Sequence, residues 1–230
     1  MFFRFSRNIL AAMKLFKYIF LFFFCVQAHA QTSDLGNWIN YFGNKQIDSR
    51  WNWHHEAQYR NYNAIGDLEQ LLLRTGIGLN LTEKNNNLLL GYGFIVSENY
   101  PNDELEKVGV NEHRIYQQFI TKQKIGIVSL QHRYRFEQRF VEGDFKTRLR
   151  YFLSMNLPLS RKEIMDNTLY LSAYNEIFIN PKNSVFDRNR LYGALGYKFN
   201  KHVKIELGYM NQFFKNGGRD QVNMNTFVSF

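Results

Sequence analysis

The feature that most constrains this fold is an alternation of side-chain character with a period of two residues. In Leu130 to Phe140, LQHRYRFEQRF, one set of alternate residues is charged or polar and the other is mostly aromatic. Gln70 to Leu81 and Arg148 to Leu157 repeat the pattern with leucines on one side. Successive side chains of a strand point to opposite faces, so the alternation predicts β-strands with one apolar and one polar face.

Ten segments from Arg50 onward fit this template, and we predict an all-β chain. They lie near 51–59, 70–81, 87–98, 110–122, 130–140, 148–157, 167–179, 187–199, 203–214 and 221–230. Segment 37–45 resembles an eleventh strand, but single-chain bacterial barrels have even strand numbers. We therefore expect about ten strands, with twelve as the alternative and 37–45 as a short extra strand or lumenal piece.

The length and ends of these segments indicate an antiparallel transmembrane β-barrel of the outer-membrane type. A tilted strand needs about 9–11 residues to cross the hydrocarbon layer, which these segments reach. Aromatic residues, which make up 17% of the chain, fall near strand ends, and the connections alternate between short turns and longer loops. The alternative is a soluble β-sandwich or lipocalin-like barrel, in which the apolar face points inward.

The first 30 residues predict a cleaved signal peptide. Basic residues precede the apolar run YIFLFFFCV, and Ala28-His29-Ala30 lies before Gln31, so cleavage is expected between Ala30 and Gln31. Met13 is an alternative start, and Cys25 raises a lipoprotein alternative that its preceding phenylalanines disfavour. The rest, 31–230, is one barrel domain.

Charge then argues against nucleic acid as a partner. The leader holds four of the 29 basic residues and none of the 20 acidic ones, so cleavage lowers the net charge from +9 to +5.

The location expected is the outer membrane of a Gram-negative cell. The partners expected are outer-membrane lipid and, during biogenesis, the barrel-assembly machinery, whose substrates typically end in an aromatic residue such as Phe230.

The polar faces predict a lumen lined by arginine and glutamate. Arginine outnumbers glutamate there, which favours a small anionic ligand, although paired charges can also simply fill a narrow interior. The residues assigned to this lumen are Glu56, Arg60, Arg74, Glu112, Arg114, Arg133, Arg135, Glu137, Arg139, Arg148, Arg150, Glu176, Arg188 and Arg190.

Several short motifs, in their order along 36–230, resemble the domain-of-unknown-function 2490 family. They are RWNWHHEAQYR, LLLRTGIGLNL, NEHRIYQQF, HRYRFEQRF, TRLRYFLSMN, YNEIFIN, RLYGALGYKF and ELGYMNQF. The resemblance implies a small outer-membrane barrel with a signal peptide, and it implies no reaction.

The sequence is compatible with two functions. The first is a non-catalytic barrel that is structural, or narrow and plugged with a preference for anions. The alternative is an outer-membrane lipid-modifying enzyme of the phospholipase or deacylase kind, for which His132 and Ser129 point to opposite faces. No catalytic residue, cofactor or metal site is assigned, since motifs such as HExxH do not occur.

Overall fold

The described part of the chain forms eleven strands in a computed structural model covering residues 35–82, 85–101, 106–182 and 185–230. The strands are β1 (Gly36–Gln46), β2 (Trp51–Asn61), β3 (Leu68–Asn80), β4 (Asn86–Asn99), β5 (Val108–Ile125), β6 (Val128–Val141), β7 (Asp144–Pro158), β8 (Thr168–Ile179), β9 (Phe186–Lys198), β10 (Val203–Phe214) and β11 (Gly218–Ser229). The prediction of an all-β chain is confirmed. No helix among these residues is long and apolar enough to cross a membrane.

The strands close into one barrel in chain order, and the closure corrects the predicted strand number. Strands that follow each other in the chain pair antiparallel. The first and last strands, β1 and β11, close the barrel by pairing in parallel, with Ile39 opposite Met224. The barrel has eleven strands rather than ten or twelve, and segment 37–45, expected as a short extra strand or a lumenal piece, is the extra strand β1 that closes the barrel. An even number follows only when every pair is antiparallel; one parallel pair allows an odd number.

The alternation in sequence becomes an inside and an outside of the barrel. On β6, Arg135 and Glu137 face inward and are 4% and 0% exposed, whereas Tyr134 faces outward and is 49% exposed. The same contrast holds on the other strands. Large apolar residues exposed on the outer face include Leu73, Ile77, Leu90, Tyr92, Ile115, Leu149, Met155, Leu171, Leu191, Leu195, Leu207, Tyr209, Val222 and Met224.

The two ends of the barrel are distinguished by Gly36, the first residue of β1, and by Phe230, which follows β11. The Phe230 end holds the connections 47–50, 81–85, 126–127, 159–167 and 199–202, and the Gly36 end holds 62–67, 100–107, 142–143, 180–185 and 215–217. Connection length does not separate these ends as the sequence suggested. In particular, β6 and β7 join by a two-residue turn, in which Glu142 and Gly143 both have positive φ, the geometry preferred in tight hairpins.

Side chains fill the interior tightly near the Gly36 end. Ile95 and Leu72 are 0% and 1% exposed, and Phe178, Gln212 and Gln221 are buried at similar depth. Large inward residues need space from the neighbouring strand. Tyr116 lies over Gly91, where a Cβ atom would come within 2.2 Å of the tyrosine ring, so this glycine makes room for the ring.

Candidate functional site

Glu137 is the most enclosed charge of the interior. Its Oε2 accepts hydrogen bonds from Nε and Nη2 of Arg148 at 2.9 and 2.7 Å, and its Oε1 accepts one from Nη1 of Arg150 at 2.7 Å. Arg114 and Arg135 lie slightly farther away, with Nη1 at 3.5 and 3.7 Å from the same Oε1. One carboxylate therefore serves four guanidinium groups, which three adjacent strands place on their inner faces.

Two further glutamates extend this cluster across the wall. Arg150 also donates to Glu176 at 2.7 Å, and Arg133 reaches the same oxygen at 2.7 Å. On the other side, Arg114 and Arg139 both donate to Glu112 at 2.6 Å. Arg114 contacts both Glu112 and Glu137, and Arg150 contacts both Glu137 and Glu176. The three carboxylates therefore belong to one arginine–glutamate network over β5 to β8.

The remaining predicted lumen residues fall outside this network or at its margin. Glu56 pairs separately with Arg74 at 2.6 Å and contacts His54 at 3.3 Å. Arg188 lies near the Gly36 end and binds Asp187 at 2.8 Å. The structure thus brings most of the predicted residues together, but it separates the Glu56–Arg74 pair from them.

Three buried arginines are held mainly by amides and rings. Arg60 donates to Gln58 and Gln70, Arg135 donates to Gln118 at 2.8 Å, and Arg190 donates to Gln212 at 2.8 Å. Arg60 and Arg190 also lie against Trp38, with Cζ at 3.7 and 4.8 Å from its ring centroid. Neutral partners satisfy these nitrogens, and the nearest carboxylate oxygens lie 3.7 Å from Arg135 and from Arg190, so their positive charge is only partly compensated.

Sequence reasoning missed several inward residues that shape the interior. Glu206 is 4% exposed and accepts a hydrogen bond from the Tyr170 hydroxyl at 2.9 Å. Trp38 is 3% exposed and faces inward from β1. The alternation in Val203–Phe214 would have placed Glu206 on the inner face. Trp38 could be placed there only once β1 was known to belong to the barrel wall.

A cavity of about 600 Å³ occupies the interior toward the Phe230 end. Its lining begins beside the turns, at Asn80, Asn85 and Lys122, and continues inward to Trp38 and Arg190. Eight cationic side chains and three carboxylates line it, an excess of five positive charges. The cationic residues are Arg60, Arg74, Arg133, Arg135, Arg150, Arg190, Lys122 and Lys204, and the carboxylates are Glu56, Glu176 and Glu206.

The histidines of the described strands take partners other than a serine hydroxyl. His113 contacts the Tyr92 hydroxyl at 2.6 Å, and His132 contacts the Tyr151 hydroxyl at 2.9 Å and Gln123 at 3.0 Å. Among the residues that the structure describes, no group of three or more His, Cys, Asp or Glu side chains could hold a metal ion.

The other predicted residues lie at the chain termini. Phe230 is 60% exposed at the β1–β11 seam, where its backbone N–H donates to the Asn44 carbonyl at 3.0 Å. The predicted signal peptide, with Ala30 and Gln31 at its cleavage site and Cys25 within it, lies outside the described residues.

The fold and its interior define a closed β-barrel with a charged lumen. The model of the family described as "Protein of unknown function (DUF2490)" matches residues 35–223, and the chain belongs to this family. The match spans nearly all of the barrel, from the start of β1 into β11. Neither the curated proteins nor the solved structures include a match to this chain.

Proposed function

We propose that this protein is an integral outer-membrane barrel of a Gram-negative cell, non-catalytic, with a plugged interior that prefers anions. The observation that carries the proposal is the distribution of polarity. Leucine, tyrosine and methionine side chains cover the outer face, while arginine, glutamate and asparagine fill the interior. A barrel folded for water has the opposite arrangement.

The extent of the outer apolar face supports a lipid environment. Exposed large apolar residues occur on all eleven strands, including Leu90 at 60% and Leu207 at 59%. Soluble monomers rarely expose contiguous apolar patches beyond a few hundred Å². The strands are 11 to 18 residues long, which suffices for a tilted crossing of the hydrocarbon layer.

The packing of the Gly36 end supports a plugged lumen. Glu137, Ile95 and Phe178 are almost completely buried there, and Glu137 is tied to its arginines by hydrogen bonds. The cavity lining reaches the turns of the Phe230 end. Glu112, Arg139 and Asp187, which lie toward the Gly36 end, do not contribute to it. We expect an interior open from one side and closed at the other.

Biogenesis through the barrel-assembly machinery is part of the same proposal. Phe230 ends the chain next to the seam, within 5.8 Å of the His55 ring by centroid distance. Its exposed ring leaves it accessible to a binding partner during assembly. Export would depend on the predicted signal peptide, with lipid as the lasting partner of the mature barrel.

Heat-modifiable migration of outer-membrane fractions tests location and assembly together. We expect the wild-type chain in the outer-membrane fraction, as a compact band that shifts on boiling. Deletion of Phe230 should reduce the compact band, whereas Lys215→Ala, in the connection 215–217 at the opposite end, should leave it unchanged. Recovery of a soluble, folded wild-type protein from the periplasm would overturn the proposal.

Planar-bilayer recordings and an esterase assay on the same purified protein test the plug and the catalytic alternative. We expect no steady conductance from the wild-type barrel and no hydrolysis of phospholipid or ester substrates. Large stable pores would replace the plugged barrel by a transport function. Hydrolysis by the wild-type protein that is lost in a folded His132→Ala variant would favour the enzyme.

A further inference from the structure

The inner end of the cavity is formed by Trp38, Arg60 and Arg190. Both guanidinium groups lie against the same indole, and all three side chains are at least nine-tenths buried. Among the residues that the structure describes, Arg60 donates only to the amide oxygens of Gln58 and Gln70, and Arg190 has Nη1 at 3.7 Å from Glu176. Two buried positive charges therefore share one ring with little direct neutralisation, an arrangement that an additional anion would stabilise.

Unpartnered donors in the same wall point to a ligand that accepts hydrogen bonds. Nε1 of Trp38 and Nη1 of Arg135 are buried and have no hydrogen-bond partner among the described residues, the latter lying 3.7 Å from Oε1 of Glu137, and both residues line the cavity. Nε of Arg74 shares this property. Buried polar atoms are nearly always satisfied, so residues that carry unsatisfied donors and also line a positively charged cavity are suited to binding oxyanion oxygens.

Unpartnered acceptors lie on β1 and β11, the strand of Trp38 and its parallel neighbour. Asn40 and Asn223 each have a buried Oδ1 without a partner in the described part of the chain, and both line the cavity. In the parallel pairing of β1 with β11, Asn223 lies directly opposite Trp38. Amide oxygens accept from hydroxyl groups, so this side of the wall suits a ligand that also carries O–H donors.

We infer that the inner end of the cavity binds a small hydroxylated organic anion, such as a sugar acid or a sugar phosphate. Arg60, Arg190 and Nε1 of Trp38 hold the carboxylate or phosphate, and Asn40 and Asn223 accept from its hydroxyls. The volume of about 600 Å³ is that of a small-molecule site. The inference deepens the proposed anion preference by assigning a site and a ligand chemistry.

Tryptophan fluorescence provides a direct readout, because Trp38 is the inward-facing one of the three tryptophans. Trp51 and Trp53 are 44% and 41% exposed on the outer face. The folded, detergent-solubilised W51F/W53F protein is titrated with gluconate, glucose 6-phosphate, inorganic phosphate and glucose. We expect a saturable emission change with gluconate or glucose 6-phosphate, with whichever binds more tightly identifying the anionic group as carboxylate or phosphate.

Single substitutions locate the site. Loss of one charge-assisted hydrogen bond should weaken binding by about 10- to 100-fold in Arg60→Gln. Arg60→Lys keeps the charge and should recover part of the affinity. The matched control is Arg139→Gln, since Arg139 belongs to the network but does not line the cavity. Heat-modifiable migration of each variant verifies that the barrel is folded.

Each other outcome would overturn the inference. No saturable change in the folded protein would mean that the cavity is not a binding site. If glucose binds equally well, the ligand is a neutral sugar rather than an anion. If inorganic phosphate binds equally well, the organic part of the ligand contributes nothing to recognition. Equal loss of affinity in Arg60→Gln and Arg139→Gln would assign the effect to general destabilisation. These results are independent of membrane location and conductance, so failure here removes the anion preference but leaves the non-catalytic outer-membrane barrel standing. Failure of the location or conductance tests leaves the binding result standing.

Discussion

Glu137 is the residue on which the interior charges depend most. It is 0% exposed, it accepts hydrogen bonds from Arg148 and Arg150, and two more guanidinium groups lie within 3.7 Å. Glu137→Gln removes the negative charge and leaves buried arginines unpaired. We expect a loss of about 3–5 kcal/mol in the free energy of unfolding, measured by urea titration in detergent.

The control for Glu137→Gln is the same substitution at a surface ion pair. Glu163 binds Lys124 at 2.5 Å in the connection 159–167, and its side chain is 62% exposed. Exposed ion pairs contribute little, so Glu163→Gln should change stability by less than about 1 kcal/mol. Equal effects of the two substitutions would show that Glu137 is not an anchor of the network.

Asp48 provides a pH-dependent contribution in the β1–β2 turn. The backbone N–H groups of Arg50 and Trp51 donate to its Oδ1 at 2.7 and 2.8 Å and lower the pKa of the carboxyl below its usual 3.8. A lowered folded-state pKa stabilises the fold above the unfolded pKa, and this stability is lost as the pH falls through the folded value. Asp48→Ala should therefore lower the urea midpoint at pH 7 more than at pH 2.5.

Asp48→Asn is the informative comparison at this turn. Its amide oxygen can still accept both backbone hydrogen bonds, but it carries no charge and does not titrate in this range. The difference between the asparagine and wild-type midpoints should shrink between pH 7 and pH 2.5. A difference independent of pH would contradict a role for the ionised carboxylate.

The outward face of β10 distinguishes a lipid-facing strand from a solvent-facing one. Leu207 is 59% exposed and lies within Val203–Phe214 rather than at its ends. If lipid surrounds the barrel, Leu207→Arg should cost about 2–4 kcal/mol near the bilayer midplane. Unfolding by urea in lipid vesicles provides the measurement.

Ile127 offers the matched position outside the strands. It is 50% exposed in the two-residue turn between β5 and β6, so Ile127→Arg places the same charge where water is expected. We expect a change of about 0–1 kcal/mol there. Similar, small effects of the two arginines in vesicles would contradict a membrane-spanning β10.

For the barrel as a whole, period-two alternation was sufficient to predict an all-β barrel and most of its inward charged residues, although Glu206 and Trp38 were missed. Whether Arg135 or Tyr134 faces the interior depends only on neighbours along one strand. Closure depends on the register between β1 and β11, which lie about 180 residues apart, and no local pattern encodes it. The convergence of Arg60 and Arg190 on Trp38 brings together β2, β9 and β1, so it could not be read from any one strand.

The β1–β11 seam determines whether the molecule is an eleven-stranded barrel, and a disulfide can test it. Ile39 and Met224 are register partners on the outer face, so I39C/M224C in a C25S chain should form a cross-link under oxidation. The cross-link is read as altered migration of boiled, non-reduced protein. The control is I39C/V228C, because Val228 pairs with Gly43, four residues or about 13 Å along the strand. A ten-stranded barrel closed by β2 and β11 would leave both pairs uncross-linked, since β1 would then have no fixed register against β11.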